Sequence, residues 1–213
     1  MKIFDTIFID FDGTIVNSLP AVGTAIIRSL ENFGITGLTL DDMHAAIGPP
    51  LSRSMCEIFG LPRENLRAAV DMYREYHAGM LGLYTIYDGV EDMLKALKAR
   101  GKCLVVATSK WEKNAVDILE NFGLVGLFDL VAGDDNISRH GKEAVIEYAL
   151  EKLSANREMT LMVGDRNYDI LGAKEFGLES MGVLWGFGDR AELESAGAEY
   201  IAATPEDVVK MLG

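Results

Sequence analysis

Cysteine is scarce in this chain. Its 213 residues hold two, Cys56 and Cys103, too far apart to show any metal-ligand spacing. That excludes a disulfide framework and predicts two reduced, buried thiols, as in a cytoplasmic protein; the sequon Asn136-Ile137-Ser138 then carries no weight. Histidine is equally sparse. His44, His77 and His140 share no spacing and read as ordinary polar or packing residues. Apolar runs are short: none approaches the length of a membrane-spanning helix. The opening MKIFDTIFID has too brief an apolar stretch, and no small-residue cleavage site, for a secretory signal. Basic residues are outnumbered, 20 against 33 acidic, for a formal charge of −13. Nucleic acid and anionic membranes are therefore poor candidates as partners, because phosphate backbones call for clustered Lys and Arg. Low-complexity tracts and internal repeats are also missing. Proline is rare and unevenly spread: four of the five (Pro20, Pro49, Pro50, Pro62) fall between residues 16 and 84.

What remains is an ordinary globular composition, 49% hydrophobic and 25% charged. Apolar runs rich in Val, Ile, Leu and Phe recur at 3–9, 103–107, 128–132, 160–163, 181–185 and 199–202. Each is continuous rather than alternating, as in parallel strands covered on both faces. Between them lie well-punctuated helical patterns. In DGVEDMLKALKARG, Asp88 is placed to cap, Val90, Met93, Leu94 and Leu97 form an apolar stripe, and Gly101 ends the helix. Thr204-Pro205 opens a last helix. This alternation predicts an α/β fold, a Rossmann-like doubly wound parallel sheet, built from 1–15 and 85–213. Residues 16–84 break the alternation with helical patterns at 19–33, 40–47, 51–59 and 63–80 and no convincing strand. They read as an all-helical insertion leaving the carboxyl end of strand one, where open α/β sheets bind ligands. A cap over an active site, setting substrate specificity, is the natural inference.

Four polar clusters follow predicted strands: Asp10/Asp12 in IFIDFDGTIVNS, Thr108-Ser109-Lys110, Lys142 in RHGKEAV, and Asp165/Asp169 in GDRNYD. Parallel strands share one carboxyl edge, so the clusters should converge and bring four carboxylates together. Like charges repel unless a cation sits among them, and a hard divalent ion, most plausibly Mg²⁺, resolves the conflict. A hydroxyl and an ammonium beside it suit an anion. Ser109 with Glu112 matches a capping box, whose free N–H groups would also face that anion. Together these features describe phosphoryl transfer through an aspartyl-phosphate.

Taken in order, DFDGTIVNS, TSK, Lys142 and GDRNYD resemble the four motifs of the haloacid dehalogenase superfamily, in its phosphatase branch. The resemblance spans nearly the whole chain and leans towards the phosphoglycolate phosphatase-like and 5'-nucleotidase-like groups. It implies roles residue by residue. Asp10 would be the nucleophile and a metal ligand. Asp12 would be general acid and then base, with its backbone carbonyl on the metal. Asp165 would complete the metal ligands and Asp169 would anchor them. Thr108 would bind phosphoryl oxygens, with Ser109 and Gly13 lining the same site, and Lys142 would neutralise charge on the transferring group. Many relatives carry Lys-Pro at the third motif, whereas Glu143 follows Lys142 here; Lys110 is the alternative phosphate-binding lysine. Arg53 either reaches a substrate anion or is a surface arginine.

Other readings compete. GFGDRA at 186–191, with Glu206 about twenty residues on, matches a dinucleotide fingerprint, but it follows the fifth strand and leaves too little chain beyond it. It reads better as a turn flanking the site. A sugar phosphomutase would share the catalytic set, and a non-catalytic phosphate- or nucleotide-binding protein could share the fold; dehalogenation is disfavoured by Asp12. The expectation is a Mg²⁺-dependent phosphatase of small phosphomonoesters, cytoplasmic, monomeric or homodimeric.

Overall fold

The computed structural model describes residues 2–212. By contacts the chain divides into two compact units, one of residues 1–15 with 86–213, the other of residues 16–85.

The first unit is built on a six-stranded, all-parallel sheet. Its strands are β1 (Thr6–Ile9), β4 (Cys103–Trp111), β5 (Leu130–Asp134), β6 (Thr160–Gly164), β7 (Glu179–Val183) and β8 (Tyr200–Ala202). They lie in the order β5-β4-β1-β6-β7-β8. Helices α4 (Val90–Ala99), α5 (Glu112–Asn121), α6 (Gly141–Leu153), α7 (Asn167–Glu175) and α8 (Arg190–Ala196) lie between them, and α9 (Pro205–Met211) follows β8. This is a Rossmann-like α/β fold. The central strands are sealed on both faces: Ile7, Phe8, Ile9, Val105, Val106, Met162 and Val163 are fully buried. Phe8, Val105 and Met162 join Val145, Ile146 and Ala149 of α6 in one core cluster. Burying side chains of that size stabilises by about 1.5–3 kcal/mol each, which is why continuous apolar runs rather than alternating ones form these strands.

Several local expectations need correction. Helix α4 buries its stripe of Val90, Met93, Leu94 and Leu97, but Asp88 does not cap it. The N-cap is Gly89 at φ 82°, and the entry turn is closed by Val90 N–H donating to Tyr87 O at 3.1 Å. A left-handed residue there suits glycine and leaves Asp88 one position too early. Strand β7 stops at Val183, two residues short of Trp185, whose indole N–H instead donates to Thr14 O at 3.0 Å. Both thiols are free, and half-buried rather than buried. Thr204, by contrast, caps α9 and accepts from Asp207 N–H, with Pro205 in the first turn.

The second unit carries β2 (Val16–Asn17), which pairs with β3 (Thr85–Ile86) where the chain returns. Between them lie α1 (Thr24–Glu31), the short α2 (Leu51–Arg53) and α3 (Leu66–Ala78), linked by 3₁₀ and wide turns. Helices α1 and α3 pack closely, with Ser29 Oγ donating to Ala69 O at 2.6 Å. His77 is a packing residue here. It is buried, 2.5 Å from the Tyr84 hydroxyl and stacked on Tyr73. Among the described residues no helix is long and apolar enough to cross a membrane.

Candidate active site

Strand register delivers the polar clusters to one edge. Ile9 of β1 is level with Val106 of β4 and Val163 of β6, so Asp10, Ala107 and Gly164 are level one residue further on. Thr108 and Asp165 come next. Asp10 N–H donates to Val163 O at 2.8 Å, which holds the first turn after β1 against β6. Asp10, Asp165 and Asp169 are buried, and a carboxylate oxygen of each lies within 4.8 Å of the others.

Lys142 enters from the first turn of α6. Its ammonium lies 2.6 Å from Asp10 Oδ1, 2.7 Å from Asp169 Oδ1 and 2.8 Å from Ala107 O. Its path runs past Gly172 of α7, where a Cβ would come within 2.9 Å of the Lys142 side chain. Lys110 sits elsewhere, its ammonium 3.1 Å from each oxygen of Asp12. The expected group of four carboxylates is therefore three plus one, because Asp12 stands on its own lysine outside the trio.

Asp165 is held from two sides, by Thr14 Oγ donating at 2.9 Å and Phe187 N–H donating at 2.8 Å. Glycine makes this possible. A side chain on Gly13, Gly186 or Gly188 would run into Asp165, and Gly13 also has φ 93°. The GFG stretch is thus a loop folded onto a carboxylate, and its glycines are explained without a dinucleotide.

Electrostatically the trio is underpaid in positive charge: three carboxylates share one ammonium. Burial foremost, then Asp169, raises the Asp10 carboxyl well above its usual range, against the pull of Lys142. Burial and then Asp169 push Asp165 up to about 7. Burial by itself would lower Lys142, but Asp10 and Asp169 outweigh it and hold the ammonium above its ordinary value. Asp169 Oδ1 meets the Lys142 ammonium and its Oδ2 accepts from Arg166 N–H at 3.0 Å, while Asn167 Oδ1 is buried without a hydrogen bond. Three buried carboxylates within 4.8 Å of one another, sharing one ammonium, are the donor set a hard divalent cation takes. The residues fit such an ion.

On the other side of Asp10, β4 leaves its ladder with β5 after Ala107 and rejoins it at Trp111, opposite Asp134. The bulge carries Thr108, Ser109 and Lys110. Thr108 is buried, and its Oγ accepts from Lys110 N–H at 3.1 Å. The capping box expected at Ser109 does not form. The chain stays extended to Trp111, α5 starts at Glu112 without a side-chain cap, and the Glu112 carboxylate turns instead to Gly133 N–H and Arg139. Arg53 lies in the helical unit, half-exposed, and bonds Glu57 at 2.9 Å.

Sequence reasoning gave no role to Thr14, although it stands in the DFDGT motif, nor to Phe187, which binds through its backbone N–H, nor to Tyr87. The Tyr87 phenol is raised by burial, then by Asp165 and Asp12, so it faces the same charges. It also missed Arg166 and Asn167 N–H, which share Glu192 Oε1 at 2.9 Å each and fix the loop between the two aspartates. The pairing of GDRN with a glutamate 26 residues on has no spacing rule that could have revealed it.

The chain resembles known proteins over nearly its whole length. The family described as haloacid dehalogenase-like hydrolase matches residues 7–183, and the chain belongs to it. It is 33% identical over 213 residues to "Probable phosphatase IndB" of Dickeya dadantii, covering 95% of this chain and 91% of that protein. It is also 33% identical over 195 residues to a 5'-nucleotidase of Pseudomonas aeruginosa, covering 90% and 88%. A solved structure, described as a predicted phosphatase from Clostridium acetobutylicum, superposes with a TM-score of 0.95 at 36% identity over 99% of both chains. Within the family, the chain is a phosphoric monoester hydrolase.

Proposed function

We propose that the protein hydrolyses small phosphomonoesters, with Mg²⁺ as its metal and Asp10 as the group that accepts the phosphoryl. The observation that carries this reading is the pairing of a buried Asp10 with two further buried aspartates and one buried lysine at the carboxyl edge of β1, β4 and β6. Asp10, Asp165 and the backbone carbonyl of Asp12 would hold the cation, with Asp169 behind them. Once bound, the ion would relieve the crowding that raises Asp10 and Asp165 and would screen the phosphoryl oxygens.

The chain's own residues then divide the work. The Asp10 carboxylate attacks phosphorus, and the phosphorus–oxygen bond to the alcohol breaks. Asp12 gives its proton to the departing alkoxide, which leaves as the alcohol. Asp12 next takes a proton from water, whose oxygen attacks the aspartyl-phosphate. The Asp10–phosphorus bond breaks, freeing phosphate and restoring the carboxylate. Thr108 and the bulge N–H groups, with Ser109 and Gly13 beside them, orient the phosphoryl oxygens. Lys142 offsets charge as it moves between them. The helical unit would select the organic part of the substrate; its support is connectivity, since the chain enters it directly after Thr14 and Ile15.

The test is phosphate release from phosphoglycolate, nucleoside 5'-monophosphates and sugar phosphates, each with Mg²⁺, with EDTA and with Asp10→Asn. Metal-dependent release that the substitution abolishes supports the reading, and the best substrate defines the class. Accumulation of an isomeric sugar phosphate without free phosphate would replace hydrolysis by a mutase reaction.

A further inference from the structure

The loop that launches Lys142 has no obvious source of rigidity. Residues 135–141 contain no proline to stiffen them, and their one large apolar side chain, Ile137, is 83% exposed. Asn136 adopts φ 59° and Gly141 φ 83°. Yet the ammonium at the end of this loop meets three acceptors, all within 2.8 Å. Something polar has to set the path.

Three side chains do so, and the first is Asp134, which accepts from Asn136 N–H at 2.6 Å and lies 2.9 Å from the His140 ring. Asp135 Oδ1 gathers the N–H groups of Ile137, Ser138 and Arg139 at 2.9, 2.9 and 2.8 Å, which winds the loop on itself. Arg139 then ties that knot to the rest of the site. Its Nε donates to Gly133 O at 2.5 Å, its terminal nitrogen bonds Glu112, and its guanidinium lies 3.9 Å from the ring centroid of Tyr148. One planar cation thus touches β5, the first residue of α5 and the body of α6. Glu112 Oε2 also accepts from Gly133 N–H at 3.2 Å, and Gly133 has no room for a Cβ, which would come within 2.7 Å of Lys110 O. Glu112 stands immediately after the Thr108–Trp111 segment, and Arg139 three residues before Lys142. The arginine therefore joins the far end of the bulge that carries the hydroxyl to the start of the helix that carries the ammonium. Only a guanidinium can bond a carbonyl and a carboxylate edge-on while stacking on an aromatic face.

We propose that Arg139 is a positioning residue for phosphoryl transfer, locking the Thr108 bulge and the amino end of α6 together so that Thr108 and Lys142 meet the same phosphoryl group. It touches neither substrate nor metal. The inference rests on the hydrolase reading of the site above.

The test compares Arg139→Met, Arg139→Lys and Glu112→Gln with the wild-type chain by three readouts: steady-state turnover of p-nitrophenyl phosphate, inhibition by orthovanadate, and the rise in Tm on adding Mg²⁺. A displacement of about 1 Å between acting groups can cost on the order of 100-fold. Arg139→Met should accordingly lower kcat by about 10- to 100-fold and weaken orthovanadate by a similar factor, while keeping the Mg²⁺ shift. Arg139→Lys should recover little of the loss, because an ammonium cannot make all three contacts. Glu112→Gln should move kcat and orthovanadate inhibition the same way by less, and it decides the matter if Arg139→Met does not fold. Unchanged kcat and orthovanadate inhibition in a variant of lowered Tm would overturn the proposal, since Arg139 would then serve stability alone. Loss of the Mg²⁺ shift along with the other two would also overturn it, as a general loosening of the site. If the wild-type chain hydrolyses no phosphomonoester, the hydrolase reading fails separately. Calorimetric binding of orthovanadate to the same variants would still test the lock.

Discussion

Asp10 and Asp12 stand two residues apart, each pairs with a lysine, and their surroundings are opposite. Asp10 is buried at the end of β1, and Lys142, equally buried, comes to it from α6 far along the chain. Asp12 lies beyond the strand in the turn, 16% exposed at its side chain, and its lysine comes from the neighbouring bulge. The first pair sits among two more carboxylates and is held in charge deficit. The second joins one carboxylate to one ammonium without a further carboxylate beside it, and its aspartate is more open to solvent. The difference matches the two tasks: a nucleophile needs fixed geometry in a dry site, whereas a proton shuttle has to meet both a leaving group and water.

Removing the nucleophile should give the largest effect. Asp10→Asn keeps the shape and lowers the crowding, so the protein should fold, while phosphatase activity should fall by about 10⁵-fold or more. Residual turnover within tenfold of wild type would put the reacting carboxylate elsewhere. Next comes Lys142→Met. It leaves three buried carboxylates without a cation, so kcat should drop by roughly 100- to 1,000-fold and stability by about 3 kcal/mol, as seen by urea denaturation. Added Mg²⁺ should restore part of the stability and little of the rate. Lys110→Met should be milder. Its pair is part-buried but has no further carboxylate crowding it, so stability should fall by about 1–3 kcal/mol, and the rate should fall by about tenfold. A reversal of that order would mean that Lys110, and not Lys142, meets the phosphoryl group.

Much of this contrast could be read in the chain before any coordinates. Continuous apolar runs located the six parallel strands, and parallel strands force their following loops to one edge, so Asp10, Thr108 and Asp165 could be brought together from residue order alone. Helix α9 was legible because a Thr-Pro entry admits few alternatives. What stayed hidden were features of tertiary geometry. Asp88 looked like a cap, but the backbone needed a left-handed residue one step later. Ser109 with Glu112 had the spacing of a capping box, yet β4 found a second pairing at Trp111 and kept the chain extended, freeing Glu112 for Arg139. Phe187 reaches the site through its backbone N–H, which leaves no trace in residue type, whereas Thr14 and Tyr87 reach it through side chains whose direction only the fold reveals.

The smallest expected effect separates the two pairs by pH. Asp165 belongs to the charge-deficient group, and its carboxyl is pushed up to about 7 from an ordinary 3.8. Between those values the folded, metal-free protein keeps a proton that the unfolded chain has released, so its stability should decline as pH rises through that window and level off above it. Mg²⁺ must displace the same proton. The gain in Tm from Mg²⁺ should therefore be several degrees larger at pH 8 than at pH 5.5, in parallel with a fall in the Tm measured in EDTA. Asp165→Asn should weaken the fall of the EDTA Tm, because one of the two raised carboxyls is gone while Asp10 remains. His140 is also held above its usual value, by Asp134, and contributes a fall in the same direction, so the Asp165→Asn comparison is the decisive one. Lys110→Met, acting on the other pair, should leave the pH dependence of the Mg²⁺ gain as it is in the wild type. An equal Mg²⁺ gain at both pH values would mean that the trio is ionised without metal, and the contrast between the two aspartates would then be one of position only.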